Sequence, residues 1–370
     1  MAWTVEPRIL NLANAAGSGD RTRAEETLPV GTLTNPVSLL FDDAVSTVTR
    51  MRPYRFTGQE AACDLCGNLS HDQVGTRDRY GRKLRIVLCA HCGLVYANPM
   101  PTEGEVDAFY ARHYRKLYHN AYEPRPKAIF RAFKGAKGRY RFLEPILGRG
   151  TRILDVGSGG GEVVHHFRER GMDAHGVEPN RGFAEYSIEA YGIPVQVSGW
   201  QNARIEPESF DIVTANHVVE HFRTPFPALV RFRDWLKPEG YLHISVPDVY
   251  SPQRTPYSRF HFAHLHYFDR ESLIMMGLKA GFEVSERLPG HSTTVVFRKA
   301  ATPAADWFRY PENYDRLARY FRDYTNLRYF LSRKPYSRWF RRMGRLGGEM
   351  FQATFVPGNL DRGNLDREKK

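Results

Sequence analysis

The chain has 370 residues and a net charge of +12; 42% of its residues are hydrophobic and 25% are charged. This length allows two or three domains with a large core, and the composition is that of an ordinary globular protein. No apolar run approaches the ~20 residues that a transmembrane helix needs, and the amino terminus lacks a signal-peptide pattern, so we expect a cytoplasmic protein. The positive charge favours contact with something anionic, such as nucleic acid, a membrane surface or a phosphorylated small molecule.

Residues 1–55 show no sustained hydrophobic periodicity, and we expect them to be largely disordered. The next segment, 56–102, contains all four cysteines as two Cys-x-x-Cys pairs, which are Cys63 with Cys66 and Cys89 with Cys92. Four thiolates at this spacing predict a structural zinc site in a small ribbon, with a strand over residues 82–88. Free thiols, an iron–sulfur centre and a redox pair are the alternatives.

Basic residues are concentrated between the two cysteine pairs. They are Arg77, Arg79, Arg82, Lys83 and Arg85. The simpler interpretation is a solvated face of a metal-stabilised module, and the alternative is that the module contacts the acceptor of a reaction.

Residues 103–150 are predicted to form a helical connector. A helix is expected over 103–118, rich in tyrosine and phenylalanine, followed by a basic amphipathic helix over 127–147. Aromatic residues at helical spacing usually pack in a core, and a lid over a bound cofactor is the alternative.

The segment from 152 to 178 has the pattern of a nucleoside-binding unit. An apolar strand runs into Gly157-Ser158-Gly159-Gly160-Gly161, a helical pattern follows, and a second strand ends in Glu178. This order places free backbone N–H groups at a ligand, and an acidic residue about 20 positions past the glycine turn can accept hydrogen bonds from a ribose diol. A plain tight turn in an α/β sheet is the alternative.

Strands and helices alternate throughout residues 151–300, which predicts a parallel sheet with helices on both faces and ligands at the carboxyl ends of its strands. A close pair of strands over 282–288 and 293–297 is predicted to form a hairpin.

Leu154-Asp155-Val156-Gly157-Ser158-Gly159-Gly160-Gly161 resembles the first motif of class I S-adenosylmethionine-dependent methyltransferases. Gly176-Val177-Glu178-Pro179 is similar to the second motif, and similar stretches follow in order up to residue 284. The resemblance implies a Rossmann-like sheet, S-adenosylmethionine as cofactor and methyltransferase activity (EC 2.1.1.-). The cofactor contacts that it implies are Asp155, Gly157, Ser158, Gly159, Gly161, Glu178, Pro179 and Asn216.

The sequence departs from the family after the third strand, where many members carry an Asp that contacts the adenine. Residues 198–202 occupy this stretch, and we expect Trp200 to cover the purine and Gln201 to bond its edge. Ordinary packing of Trp200 is the alternative.

The cysteine pairs followed by Asn98-Pro99 resemble a bacterial subgroup of methyltransferases that begins with such a zinc module. This resemblance implies a small-molecule or saccharide acceptor, methylated on oxygen or carbon and linked to a nucleotide or a lipid.

Histidines cluster at two predicted strand ends. His217, Glu220 and His221 follow the fourth strand of the sheet, and His264 follows the fifth. Histidine suits general base work near neutral pH, so these four residues are the catalytic candidates; the alternative is that the histidines cap or pack a helix. Zinc binding by them is not expected, because no carboxylate or cysteine stands at ligand spacing in the sequence.

Residues 301–357 are predicted to be a basic helical extension, and 358–370 a polar tail. The extension interleaves aromatic residues with arginine and lysine, which leaves three interpretations: a helix packed on the domain, a peripheral membrane-surface helix or an RNA-contacting arm. Two rival functions follow, an RNA methyltransferase that uses the ribbon and the extension, and a non-catalytic binding protein with a methyltransferase fold.

Overall fold

The computed structural model describes residues 57–109, 124, 126–250, 255–302 and 304–332. The predictions for 1–55 and 358–370, the aromatic residues after 109 and the basic stretch after 332 lie outside the described residues.

The cysteine-containing module is a small antiparallel sheet. Its strands are β1 (His71–Arg77), β2 (Lys83–Cys89) and β3 (Val95–Ala97). The centre of β2 is an apolar run whose residues 86–89 are all buried, so this strand is sandwiched between two layers. β1 pairs with β2 from His71 opposite Cys89, which brings the two cysteine turns to the same end of the module.

Two helices of the predicted connector are described, α1 (Glu103–Phe109) and α2 (Pro126–Leu143). Thr102 and Glu105 begin α1 in the manner of a capping box, because the Glu105 carboxylate accepts the Thr102 N–H at 2.9 Å and the Thr102 hydroxyl accepts the Glu105 N–H at 3.3 Å. The amphipathic α2 buries Leu143 against the main sheet.

The main sheet contains seven strands, which alternate with helices along the chain. Its strands are β4 (Arg152–Val156), β5 (Asp173–Glu178), β6 (Val195–Val197), β7 (Phe210–Asn216), β8 (Leu236–Ser245), β10 (Phe282–Val284) and β11 (Thr294–Lys299). Their order is β6-β5-β4-β7-β8-β11-β10. β4 to β8 are parallel to one another, whereas β11 is antiparallel to both β8 and β10. The predicted α/β class with a Rossmann-like sheet is confirmed, and so is the hairpin at its end.

Four helices belong to this sheet. They are α3 (Glu162–Arg168), α4 (Arg181–Tyr191), α5 (Pro225–Trp235) and α6 (Arg270–Lys279). The sequence predicts a strand beginning at residue 241, but β8 begins at Leu236, directly after α5. Its first part pairs with Phe210 before a register shift, and Glu239 adopts a left-handed φ of 64° within that irregular stretch.

The loop after β8 contains a short strand that the sequence pattern does not predict, β9 (His266–Tyr267). β9 pairs with β3, so the small sheet has the order β1-β2-β3-β9. The cysteine module and the main sheet also share one hydrophobic core, in which Leu65 and Tyr96 lie in the same cluster as Leu154 and Phe232.

The carboxy-terminal extension is described up to residue 332 and contains α7 (Asn313–Asp323) and α8 (Asn326–Leu331). Leu317 of α7 is buried against the small sheet, beside Ile86 and Leu88. The buried Arg259 guanidinium lies 4.7 Å from the Tyr320 ring and 4.8 Å from the Phe321 ring, which anchors α7 through cation–π contacts. For residues 313–332 the extension is thus a helix pair packed on the domain. No helix within the described ranges combines the length and the hydropathy that crossing a bilayer demands.

Candidate active site

A cleft of about 990 Å³, including its open mouth, lies at the carboxyl ends of β4, β5 and β7. Its lining residues come from the strand ends, from the turns after them and from α1: Glu103, Val106, Val156, Gly157, Val177, Glu178, Pro179, Asn180, Ser198, Gly199, Trp200, Gln201, His217, Val218, His221, Phe222 and Arg223.

The glycine turn after β4 requires glycine at two positions. Gly157 has a φ of 70°, and a Cβ there would lie 2.6 Å from Val218 Cγ2. Gly161 has a φ of 85°, and a Cβ there would lie 2.6 Å from the Ser187 Cβ. Only glycine tolerates both a left-handed backbone and neighbouring side chains this close to its Cα, so glycine at these two positions allows the turn to adopt this conformation beside the cleft.

Glu178 connects the end of β5 to the glycine turn. Its side chain is 3% exposed, and its two oxygens accept the N–H groups of Gly159 and Asn180, each at 2.9 Å. A carboxylate offers about four lone-pair sites, so this residue can hold the turn and still accept from a ligand in the cleft. Pro179, the next predicted contact, also lines the cleft.

Trp200 and Gln201 lie in a short 3₁₀ turn on the opposite wall, at Trp200–Asn202. The indole packs at a centroid distance of 5.6 Å from Phe222. Its Nε1 is buried and has no hydrogen-bond partner within the described part of the chain. Buried polar groups are nearly always partnered, so a ligand with polar atoms fits this wall.

Asp155 is directed away from the cleft. Its carboxylate is 4% exposed, accepts from Arg139 Nη1 at 2.8 Å, and accepts from the Thr214 hydroxyl. Burial raises the pKa of Asp155, against the opposing charge of Arg139 and the two hydrogen bonds. Four other predicted contacts are likewise not among the lining residues: Ser158, Gly159, Gly161 and Asn216. Sequence reasoning missed Arg139, whose only signal is its place in a basic amphipathic helix.

The catalytic candidates meet at the cleft wall formed by β7 and the loop before β9. His221 Nδ1 donates to the Ala263 carbonyl at 2.7 Å, which leaves Nε2 as the accepting nitrogen of the neutral ring. Glu220 is 1% exposed, and its Oε1 lies 3.7 Å from His221 Nε2 and 3.6 Å from His217 Nδ1. The His264 ring meets the His221 ring edge-on at 4.8 Å. His217 has an exposed side chain and a left-handed φ of 55°.

The prediction that these histidines have no carboxylate at metal-ligand distance is wrong. The ligand atoms of Glu220, His221 and His264 all lie within 4.8 Å of one another, and Glu220 Oε2 has no partner among the described residues. Sequence spacing misses this group because the loop that carries His264 lies more than 40 residues further along the chain and is brought to Glu220 by the fold, where the Leu265 N–H donates to the Glu220 carbonyl at 2.8 Å.

The four cysteine sulfurs form a compact cluster. Cys63 lies 3.5 Å from Cys92, Cys66 lies 3.4 Å from Cys89, and none of the four is in a disulfide. Hydrogen bonding among the sulfurs raises the pKa of Cys63 and Cys92 and lowers that of Cys66 and Cys89. Four sulfurs at these separations suit a tetrahedral zinc ion with no open position.

The cysteine module is bound to the helices around the cleft. Asp64 Oδ2 accepts the Phe226 N–H at 2.7 Å, in the first turn of α5, and Lys279 of α6 donates to the Leu65 carbonyl at 2.6 Å. Arg223, a lining residue, donates to the Pro101 carbonyl at 2.9 Å. The module and α1 therefore support one wall of the cleft.

Comparison with known proteins agrees with this geometry. Residues 128–287 match the family model of a methyltransferase domain. A ubiquinone biosynthesis O-methyltransferase of Roseobacter denitrificans is 34% identical over 97 residues, which is 25% of this chain and 39% of that protein. A protein of the same name from Aliivibrio fischeri strain MJ11 is 30% identical over 103 residues, 26% of this chain and 44% of its own.

The chain thus spans less than half the length of these curated relatives. Among solved structures, a 1,6-didemethyltoxoflavin-N1-methyltransferase of Burkholderia thailandensis is similar at 19% identity, with a TM-score of 0.43, over 56% of this chain and 96% of that one.

Proposed function

We propose that this protein, whose residues 128–287 match the family model of a methyltransferase domain, is a class I S-adenosylmethionine-dependent enzyme that methylates a small-molecule or saccharide acceptor. The observation that supports it best is a cleft that both Glu178 and His221 line, with the buried Glu220 carboxylate beside His221. The relatives' name, O-methyltransferase, supports a hydroxyl of a small molecule as the methylated group.

The cofactor is proposed to lie over the glycine turn. Glu178 would accept hydrogen bonds from the ribose hydroxyls, while Trp200 and Gln201 would flank the adenine. When bound, S-adenosylmethionine supplies an electrophilic methyl group, so the protein has to position an acceptor and remove its proton. The Cys63, Cys66, Cys89 and Cys92 cluster is proposed to hold a structural zinc ion.

His221 is proposed as the general base. Its Nδ1–H is held by the Ala263 carbonyl, so Nε2 can take the proton from an acceptor hydroxyl as that oxygen attacks. The buried Glu220 carboxylate beside it would stabilise the imidazolium that results. His264 is proposed to orient the ring of His221, which it meets edge-on.

The test is methyl labelling in a cell extract. Purified protein is incubated with methyl-labelled S-adenosylmethionine and extract, and nucleic acid, protein, lipid and water-soluble fractions are then separated. Label in the water-soluble or lipid fraction supports the proposal. Nuclease-sensitive label would support the RNA methyltransferase, and cofactor binding without label would support the non-catalytic binding protein.

Two variants separate the proposed roles. His221→Asn is expected to slow transfer by about 10²- to 10⁴-fold and to leave the cofactor dissociation constant unchanged, as loss of a general base should. His91→Asn changes an exposed histidine of the cysteine module and serves as the control. Equal labelling by His221→Asn and the unmodified protein would contradict the assignment of the base.

A further inference from the structure

The turn between β1 and β2 holds two arginines in a rigid setting. Asp78 is fully buried, and its Oδ1 accepts the N–H groups of Tyr80 at 2.9 Å and Arg82 at 2.8 Å. The Arg79 N–H donates to the Phe260 carbonyl at 2.8 Å. These bonds fix the turn against the segment 259–264, which leads to the histidines of the cleft.

Both guanidinium groups contain buried nitrogens without an acceptor. Within the described residues, Arg79 Nε, Arg79 Nη2 and Arg82 Nη1 have no hydrogen-bond partner. Burial lowers the pKa of Arg79, although the nearby Tyr80, Tyr267 and Asp78 oppose this. A buried donor without an acceptor is unfavourable, and more so when it is charged, so these donors call for an acceptor.

Other arginines of the same module do have a hydrogen-bond acceptor or a countercharge. Arg77 Nη1 donates to the Gly81 carbonyl at 2.9 Å, and Arg85 forms an ion pair with Glu60 at 2.9 Å. Among the described residues, Arg79 and Arg82 therefore differ from these neighbours in having buried guanidinium nitrogens without a hydrogen-bond acceptor. Both side chains nevertheless remain partly exposed, which gives a ligand a route to them.

A series of rings connects this pair to the proposed base. Tyr80 contacts His261 at a centroid distance of 5.7 Å, His261 contacts His264 at 5.1 Å, and His264 contacts His221 at 4.8 Å. Burial and the charges of Arg79 and Arg82 lower the pKa of His261 to about 3, so its ring is neutral at physiological pH. The first histidine on the path from the arginines to the cleft is thus uncharged.

We propose that Arg79 and Arg82 bind an anionic group of the methyl acceptor, a phosphate or a carboxylate, at the end of this path. The inference rests on the proposed function and deepens it, because it assigns the acceptor to the anionic small molecules. Arginine suits this task, since its planar group donates in a fork that matches phosphate and carboxylate oxygens. The anion would fix one end of the acceptor while the ring series directs its reacting hydroxyl toward His221.

A direct binding measurement tests the site without any turnover. Calorimetry with pyrophosphate and with citrate as probes should show binding of at least one of them to the unmodified protein. Arg79→Gln and Arg82→Gln should each weaken that binding by about 10- to 100-fold, the loss expected for a charged hydrogen bond. Arg77→Gln changes an exposed arginine at the end of β1, next to the same turn; it is the matched control and should bind as the unmodified protein does.

The labelled product of the extract assay supplies the second readout. It should be retained on an anion exchanger, and release by phosphatase distinguishes a phosphate from a carboxylate. Cofactor affinity should be unchanged in both glutamine variants. If a glutamine variant unfolds, the corresponding lysine variant, Arg79→Lys or Arg82→Lys, takes its place in the measurement, because lysine keeps the positive charge. A neutral labelled product, or probes that bind equally to all variants, would overturn the proposal. Loss of cofactor binding or labelling by the unmodified protein would instead count against the proposed function.

Discussion

Glu178 has two roles at the residue scale, because the carboxylate that faces the cleft also holds the glycine turn through the Gly159 N–H. We predict that Glu178→Gln weakens S-adenosylmethionine binding by about 10- to 100-fold, since a charged acceptor is lost. Isothermal calorimetry measures this, with the melting temperature recorded to detect any loosening of the turn. Glu185→Gln, on the exposed face of α4, is the control, and unchanged affinity in Glu178→Gln would refute the ribose assignment.

Buried neutral histidines make stability depend on pH. His243 lies inside β8 with an unpartnered Nδ1, and burial, together with the charge of Arg139, lowers its pKa to about 3. The unfolded chain therefore binds a proton at this position between about pH 6.5 and 3 that the folded chain does not, so stability falls as pH falls. We predict that, on acidification, the unfolding free energy of the unmodified protein falls relative to that of His243→Leu by up to about 1.4 kcal/mol per pH unit.

Urea titrations from neutral to mildly acidic pH measure this difference, and comparing two proteins at each pH cancels effects that they share. His91→Leu, at an exposed position, should run parallel to the unmodified protein. A parallel course for His243→Leu as well would show that His243 takes up its proton in the folded state.

At the scale of elements, the glycines of the turn after β4 differ in how strongly their surroundings exclude a Cβ atom. Gly161→Ala would drive a Cβ into Ser187 and Ile193, whereas Gly159→Ala meets no protein atom within 4 Å, although both have positive φ. We predict a loss of about 1 kcal/mol for Gly159→Ala from backbone strain, and a clearly larger loss for Gly161→Ala from strain and overpacking together. Chemical denaturation measures both, and equal losses would mean that the contacts of Gly161 relax freely.

Helix α7 is joined to the domain by an ionic network. Arg316 donates to the fully buried Asp269 at 3.0 Å and pairs with Glu271, and Asn313 donates to the Cys92 carbonyl at 3.2 Å. Asp269 also begins α6, where it accepts the Ser272 N–H at 3.0 Å. Removing Arg316 would leave a buried carboxylate without its countercharge.

We predict that Arg316→Met destabilises the protein by about 1–3 kcal/mol, less than for a wholly buried pair because Arg316 is itself 39% exposed. Denaturant unfolding measures it. Arg319→Met, at an exposed position of the same helix, is the control, and matching stabilities of the two variants would show that the network contributes nothing.

At the scale of the whole molecule, the cysteine cluster and the cleft belong to one core. Leu65 and the buried cysteines pack in the same cluster as the strands of the main sheet, and Asp64 and Lys279 connect the module to α5 and α6. We predict that the protein contains one zinc ion per chain. Removal of the zinc by a chelator should lower the melting temperature, with unfolding still in a single cooperative transition, and should weaken cofactor binding.

Elemental analysis and calorimetry check both outcomes. Cys66→Ser should reproduce the effect of the chelator. If the analysis finds a second metal ion per chain and Glu220→Gln removes it, that ion is bound by the group of Glu220, His221 and His264. A metal-free protein of undiminished stability would contradict the zinc assignment.

The sequence by itself determined the α/β class, the seven-stranded alternation and the turn that contains Gly157 and Gly161. These follow from local rules: hydrophobic period, turn chemistry and the steric freedom of glycine act over a few residues. The two cysteine pairs belong with them, because the spacing of each pair already directs two sulfurs to one point.

Only the tertiary structure decided which side chains share a site. It turned Asp155 toward Arg139, placed His264 beside His221, and brought the unpaired Arg79 and Arg82 to the far end of the same series of rings. His264 lies beside His221 because the Leu265 N–H donates to the Glu220 carbonyl at 2.8 Å and β9 pairs with β3, contacts between distant segments of the sequence that no local pattern encodes. Such long-range contacts depend on the packing of the complete core, which is why sequence reasoning names the residues of a site more easily than their partners.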